Sequence, residues 1–217
     1  MKLFVWDLHG TLEKGNYKAL IEVSNQALRD RGHNIAISPE DSRKYYGLKW
    51  HQYFAKILPN ETAEEHMALY NHGSKLVEAN PKQRLKMVRP NEHMHKVLDG
   101  IQKAGHEQIL LSNAQHAHIL FYVNLLGLGK YFSDERILSS YDDHQTGGLT
   151  KQKVVADYIE GKRFDGIIAV GDSQPDMDIK VVPDTATYLY TYPEWPFKEV
   201  TNADYKIRDL RKILQEI

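Results

Sequence analysis

A chain of 217 residues, 41% hydrophobic and 26% charged, has the composition of a globular protein, either one large domain or one domain carrying an insertion. The net charge of −1 speaks against a nucleic-acid or polyanion partner, and the lack of cysteine excludes disulfides, thiol nucleophiles and thiolate metal sites. No stretch approaches the ~20 apolar residues of a membrane span, and Asp7 interrupts the first apolar run too early for a signal peptide, so a cytoplasmic location is expected.

In chain order, Phe4-Val5-Trp6 reads as a strand that ends in Asp7, followed by a Gly10-Thr11 turn. Residues 16–31 read as an amphipathic helix, with Leu20, Val23, Ala27 and Leu28 at helical spacing and Gly32 as its stop. Ser38-Pro39-Glu40-Asp41 predicts another helix start, with Pro inside the first turn. Residues 50–58 and 62–79 follow as helices, separated by Pro59-Asn60, and Pro81 is expected to end the second.

From Pro90 the rhythm changes. A helix over 91–104 ends at Gly105, a strand over 108–111 leads into Ser112-Asn113, and a helix runs from Gln115 to Leu126. A strand-like Arg136-Ile137-Leu138 precedes a polar loop, Asp142 to Gly148. Then come a helix over 151–160, a strand over 166–170, a short helix over 176–181, a strand over 185–190, and a last short strand and helix in the tail. Strands alternating with helices predict an α/β fold, doubly wound, with a mainly parallel Rossmann-like sheet. The expected organisation is a core of residues 1–14 and 82–217, with an all-helical domain, 15–81, inserted after the first strand. Such an insertion is tolerated where the chain surfaces at a loop, and there it can act as a lid hinged near 13–16 and 81–89. Residues 14–88 carry a net charge of +4 and the remainder −5, so the insertion suits an anionic ligand and the rest a cation.

Two apolar strands end in aspartate: Asp7 after Phe4-Val5-Trp6, and Asp172 after Ile167-Ile168-Ala169-Val170-Gly171. Open α/β sheets bind ligands at the carboxyl ends of their strands. Two carboxylates delivered there can share one Mg²⁺, a hard cation that prefers oxygen ligands. Asp176 lies one helical turn beyond Asp172, either as a partner of the metal ligands or as a helix N-terminal charge.

Four motifs in order resemble those of the haloacid dehalogenase superfamily: Asp7-Leu8-His9-Gly10-Thr11, Leu110-Leu111-Ser112-Asn113, Thr150-Lys151-Gln152-Lys153, and Gly171-Asp172-Ser173-Gln174-Pro175-Asp176. The similarity is to its capped phosphatase branch, the phosphoglycolate phosphatase and beta-phosphoglucomutase-like members, and it runs from Lys2 to Leu210. It implies a Mg²⁺-dependent hydrolase of a small phosphorylated metabolite, with Asp7 as the nucleophile that becomes an aspartyl-phosphate. It further implies Ser112, Asn113 and Lys151 on the phosphoryl oxygens, and Asp7, Asp172, Asp176 and the backbone carbonyl of His9 around the metal. Lys153 competes with Lys151 for the phosphate role; Thr150 as a helix cap would put Lys151 in the first turn.

Position 9 departs from the family pattern, which has a second aspartate there as acid and base. An imidazole, with a reference pKa of ~6.5, can do both jobs, or its presence leaves the enzyme slow. The departure keeps two other readings open: a phosphonatase or dehalogenase of the same superfamily, or a weakly catalytic member that binds a phospho-ligand or a partner. A phosphonatase would need a Schiff-base lysine, for which Lys18, Lys49 and Lys56 are available. In the inserted domain, Arg43-Lys44-Tyr45-Tyr46-Gly47-Leu48-Lys49-Trp50 mixes cations and aromatics. Arg43 or Lys49 could meet an anionic substrate with Trp50 or Tyr46 packed on it; the same run also suits an ordinary helix junction. His116 and His118 read as surface residues of their helix. No heptad fixes an oligomeric state, so a monomer or a dimer is expected.

Overall fold

The computed structural model describes residues 1–45, 47–141, 149–192 and 202–217. Its strands are β1 (Leu3–Trp6), β2 (Glu13–Lys14), β3 (Arg89–Pro90), β4 (Glu107–Ser112), β5 (Ile137–Ser139), β6 (Ile167–Gly171), β7 (Thr185–Tyr190) and β8 (Tyr205–Ile207). Its α-helices are α1 (Asn16–Asp30), α2 (Pro39–Tyr45), α3 (Trp50–Ile57), α4 (Ala63–Ala79), α5 (Pro81–Met87), α6 (Met94–Lys103), α7 (His116–Leu125), α8 (Lys151–Ile159) and α9 (Gln174–Met177). Short 3-10 turns occupy Asp134–Arg136, Asp178–Val181 and Leu210–Glu216.

All four residues of β1 are apolar and buried, as expected for a strand covered on both faces. It lies at the centre of a six-stranded sheet ordered β5-β4-β1-β6-β7-β8, and every pairing in that sheet is parallel. From β1 the chain builds outward through β4 and β5 on one side, then crosses back to build β6, β7 and β8 on the other. The order therefore reverses between β1 and β6, and that crevice is where such sheets bind ligands.

Side chains alternate across the sheet. Leu3, Val5, Ile109, Leu111, Ile167 and Ala169 share one face and bury Val155 of α8 together with Ile179 and Val182. On the other face Trp6 Nε1 donates to Gln108 Oε1 at 3.1 Å, and Gln108 Nε2 donates to the Leu98 carbonyl of α6 at 3.0 Å. Helices thus cover both faces, and the fold is the doubly wound α/β arrangement that the alternation predicts.

The chain divides into two compact units, Met1–Glu13 with Pro90–Ile217, and Lys14–Arg89. The first holds the six-stranded sheet. The second is helical, from α1 to α5. Gly15 precedes α1 with φ +97, and a Cβ there would meet the Met87 carbonyl oxygen at 1.9 Å, so this turn requires glycine. The core of the helical unit is built around Trp50, which stacks on Phe54, meets Tyr70 edge-on and donates Nε1–H to Ser24 Oγ at 2.9 Å. Strands β2 and β3 form a separate two-stranded sheet.

Two local expectations are corrected. Pro81 follows the end of α4 at Ala79, as expected, but does not close the helical region: it opens α5, in the first-turn position that suits proline, and the second crossing between the units falls at Arg89–Pro90. The helix expected from residue 91 begins only at Met94, because His93 adopts a left-handed φ of 64° at its N-cap. The loop 142–148, Tyr46 and the aromatic at 195 lie outside the described residues. The aromatics at 188, 190 and 192 are buried, as packing residues. Among the described residues no helix is long and apolar enough to cross a membrane.

Candidate active site

Asp7 follows β1 and Asp172 follows β6, so the reversal of strand order brings the ends of these two strands side by side. Asp7 N–H donates to the Val170 carbonyl at 2.9 Å, locking the two strand ends in register. Asp7, Asp172 and Asp176 are all buried, and each offers a carboxylate oxygen within 4.8 Å of the others. Asp176 stands in the first turn of α9. Its Oδ2 accepts from Ser173 N–H at 3.1 Å and Ser173 Oγ at 2.7 Å, a reciprocal cap that fixes the carboxylate. Gly171 makes room for it: a Cβ at that position would lie 2.1 Å from Asp176 Cγ.

Lys151 enters this acidic group from the first turn of α8, whose N-cap is Thr150 with Oγ1 accepting from Lys153 N–H at 3.3 Å. Its Nζ donates to Asp7 Oδ1 at 2.7 Å and to Asp176 Oδ1 at 2.6 Å. Lys153, by contrast, is exposed and pairs with Asp157 along its own helix. The geometry therefore separates the two lysines that the sequence left in competition.

Burial pushes the Asp7 carboxyl up to about 6; Lys151 opposes the rise and Asp176 adds to it. Asp172 is also raised well above the ordinary carboxylate range, first by burial and then by Asp7 and Asp176. Burial disfavours the ammonium of Lys151, but Asp176 and Asp7 outweigh that cost and hold it above its usual range. One lysine set against three carboxylates leaves a charge deficit in a dry place. Asp172 Oδ2, fully buried, accepts no hydrogen bond among the described residues. An all-oxygen acidic donor set with an unsatisfied buried oxygen suits a hard divalent cation such as Mg²⁺.

The remaining sequence candidates distribute as follows. Ser112 ends β4, and its buried Oγ accepts from Ala114 N–H at 3.3 Å, which leaves its own proton to donate. Asn113 Oδ1 accepts from Ser140 Oγ at 2.5 Å. The His9 side chain is not a member of the carboxylate cluster; its ring meets Tyr122 edge-on at 4.7 Å, and its Nδ1 lies 3.0 Å from Glu13 Oε1. Arg43, on α2, is exposed, and Lys49, whose N–H donates to Gln52 Oε1 at 3.3 Å, precedes α3; both belong to the helical unit. Trp50 is a core residue of that unit rather than a surface for a ligand.

Sequence reasoning missed several members. Thr11 Oγ1 donates to Asp7 Oδ2 at 3.2 Å. Glu13, fully buried, stands beside His9; the only signal in the sequence was a histidine and a glutamate four residues apart. His118, expected at the surface, is buried, with its ring 5.2 Å from that of Tyr122.

Comparison with known proteins agrees with this geometry. No curated protein matches the chain by sequence. Among solved structures, a protein described as a predicted phosphoglycolate phosphatase from Haemophilus somnus superposes with a TM-score of 0.76 at 18% identity, covering 99% of this chain and 96% of its own. A haloacid dehalogenase-like hydrolase from Streptococcus pneumoniae gives 0.74 at 15%, covering 99% and 97%. CbbY from Rhodobacter sphaeroides, solved with xylulose-(1,5)bisphosphate, gives 0.74 at 11%, covering 98% and 95%. At these identities the likeness establishes the fold. The sequence model of the haloacid dehalogenase-like hydrolases matches residues 4–179, a span that contains the aspartates, Ser112 and Lys151. The chain belongs to the haloacid dehalogenase-like hydrolase family.

Proposed function

We propose that this protein is a Mg²⁺-dependent phosphatase of a small phosphomonoester, working through an aspartyl-phosphate on Asp7. The observation that carries the proposal is the meeting of Asp7, Asp172, Asp176 and Lys151 at the sheet's switch point, with one buried oxygen of Asp172 unsatisfied. Asp7, Asp172, Asp176 and the His9 carbonyl would hold the metal. When bound, Mg²⁺ supplies positive charge that lets one anion approach another.

The chain's own residues do the rest. Lys151 and Ser112 bind phosphoryl oxygens, and Asn113, oriented by Ser140, adds a donor. A carboxylate oxygen of Asp7 attacks phosphorus as the ester P–O bond breaks, and His9 gives a proton to the departing alcohol oxygen. Water then attacks the phosphorus of aspartyl-phosphate, His9 takes its proton, and the bond to Asp7 breaks to release phosphate. Thr11 Oγ1 and Lys151 Nζ each hold one oxygen of Asp7, which orients the carboxylate for attack.

We assign the helical unit the role of a cap that selects the substrate, with Arg43 and Lys49 as cations for a remote anionic group. The similar structures named for phosphoglycolate and bound to a sugar bisphosphate support a small, strongly anionic metabolite. A cytoplasmic place accords with such a substrate. A dehalogenase, one of the two alternatives within the family beside a phosphonatase, would leave a cluster of three buried carboxylates without a use.

The test is phosphate release from a panel of phosphomonoesters. Activity that appears with Mg²⁺, disappears with a chelator and is absent in Asp7→Asn supports the proposal. Activity of Asp7→Asn equal to wild type would overturn it.

A further inference from the structure

Glu13 is a fully buried acid with no part in the two phosphoryl-transfer steps. Its Oε1 lies 3.0 Å from His9 Nδ1 and also accepts from the Gly10 N–H at 3.2 Å. The backbone leading into it is held in place. Glu13 N–H donates to the Leu8 carbonyl at 3.2 Å, and Asn91 donates to the carbonyls of Thr11 and Leu12 at 2.7 and 2.9 Å. The imidazole is confined from another side by Tyr122, packed edge-on. An ionised carboxylate only accepts, so a ring nitrogen facing it carries the hydrogen.

We infer that Glu13 is the positioning residue of His9: its carboxylate accepts the Nδ1 hydrogen and thereby commits Nε2 to proton transfer with the substrate. This rests on the reading of His9 as the acid and base of a phosphatase. In the first half-reaction the ester P–O bond breaks, the alcohol oxygen takes the hydrogen from Nε2, and a neutral ring remains with its hydrogen on Nδ1, facing Glu13. In the second, Nε2 takes a proton from the attacking water and returns to the charged ring. Without the carboxylate the neutral ring can hold its hydrogen on Nε2 instead, and that form cannot accept from water there. An amide in its place favours this wrong form, because it can donate to Nδ1.

A purely structural Glu13, present only to tie down the Gly10 amide, makes different predictions. One oxygen, Oε1, meets both the Gly10 N–H and His9 Nδ1; a Gln side chain that turns its nitrogen to this point donates to Nδ1 and no longer forces the hydrogen there. Nitrogen-15 spectra of the His9 ring in the wild-type protein should show the neutral ring protonated at Nδ1, and in Glu13→Gln a substantial share protonated at Nε2. In turnover, Glu13→Gln should lower kcat for an alkyl phosphate about 100-fold or more with KM little changed. The pre-steady-state burst of p-nitrophenolate from p-nitrophenyl phosphate, whose leaving group needs no proton, should keep its rate.

Wild-type His9 protonated at Nε2, or unchanged alkyl-phosphate kcat in Glu13→Gln beside an impaired His9→Ala, would overturn the inference alone. A His9→Ala variant with wild-type turnover would instead remove the reading beneath it. Should Glu13→Gln fail to fold, the wild-type spectrum still decides.

Discussion

Replacing Asp7 by Asn should change the protein's stability in a way that depends on pH, and by an amount the site fixes. In the folded, metal-free protein the Asp7 carboxyl is raised from 3.8 to about 6, first by burial. At about 1.4 kcal/mol per tenfold, that displacement amounts to about 3 kcal/mol. A raised carboxyl stabilises the fold fully below pH 3.8, where it is protonated in both states. The contribution is lost as the pH climbs through 6, where the folded protein must carry a buried charge. Asp172, raised for the same reason, acts in the same direction. Glu65 and Asp209 run the opposite way, being held low at about 2 by Arg31 and Arg211, but they are common to both proteins and cancel in the difference.

Urea denaturation of wild type and Asp7→Asn in EDTA, from pH 3 to 7.5, should therefore show the variant gaining about 3 kcal/mol on the wild type as pH rises. That corresponds to a relative Tm change of about 6–12 °C. Mg²⁺ at 100 times its Kd should return about 2.7 kcal/mol to the wild type and nothing to a protein that cannot bind it. A difference between the two proteins that stays flat with pH would refute the electrostatic account of this site.

The two lysines of α8 should separate cleanly by the same measurement. Lys151→Met leaves three buried carboxylates without their cation and should cost about 3–5 kcal/mol, whereas Lys153→Met removes an exposed pair and should change stability by less than about 0.5 kcal/mol. Equal effects would mean that Lys151 is not the compensating charge. Gly171→Ala inserts a methyl group where the Asp176 carboxyl stands, 2.1 Å from Cγ, and should weaken divalent-cation binding about 10–100-fold in calorimetry. Unchanged affinity would place Asp176 outside the metal's surroundings.

The sheet was legible because its central strands, β1 and β6, are short, apolar and punctuated: each runs straight into an aspartate, and the intervening helices carry clear stops such as Gly105. The strand-end aspartates were legible for the same reason, since a charge directly after a buried run has few places to go. Lys151 could not be told from Lys153 by pattern, because both lie in one helical turn and only the direction of approach to Asp7 separates them. Glu13 was invisible because its role is tertiary: an acid just past a motif looks solvated until burial brings it against His9. Pro81 ends α4 as read but also opens α5, since proline both ends helices and opens them, and only the packing of α5 with the helical unit carries the boundary on to Arg89.

The most direct measurement is mass spectrometry of the protein acid-quenched during turnover of a phosphomonoester with Mg²⁺. Covalent catalysis by Asp7 predicts a phosphoryl group on the peptide that contains Asp7, absent from Asp7→Asn. Steady turnover with no such adduct, or an adduct on another residue, would contradict it.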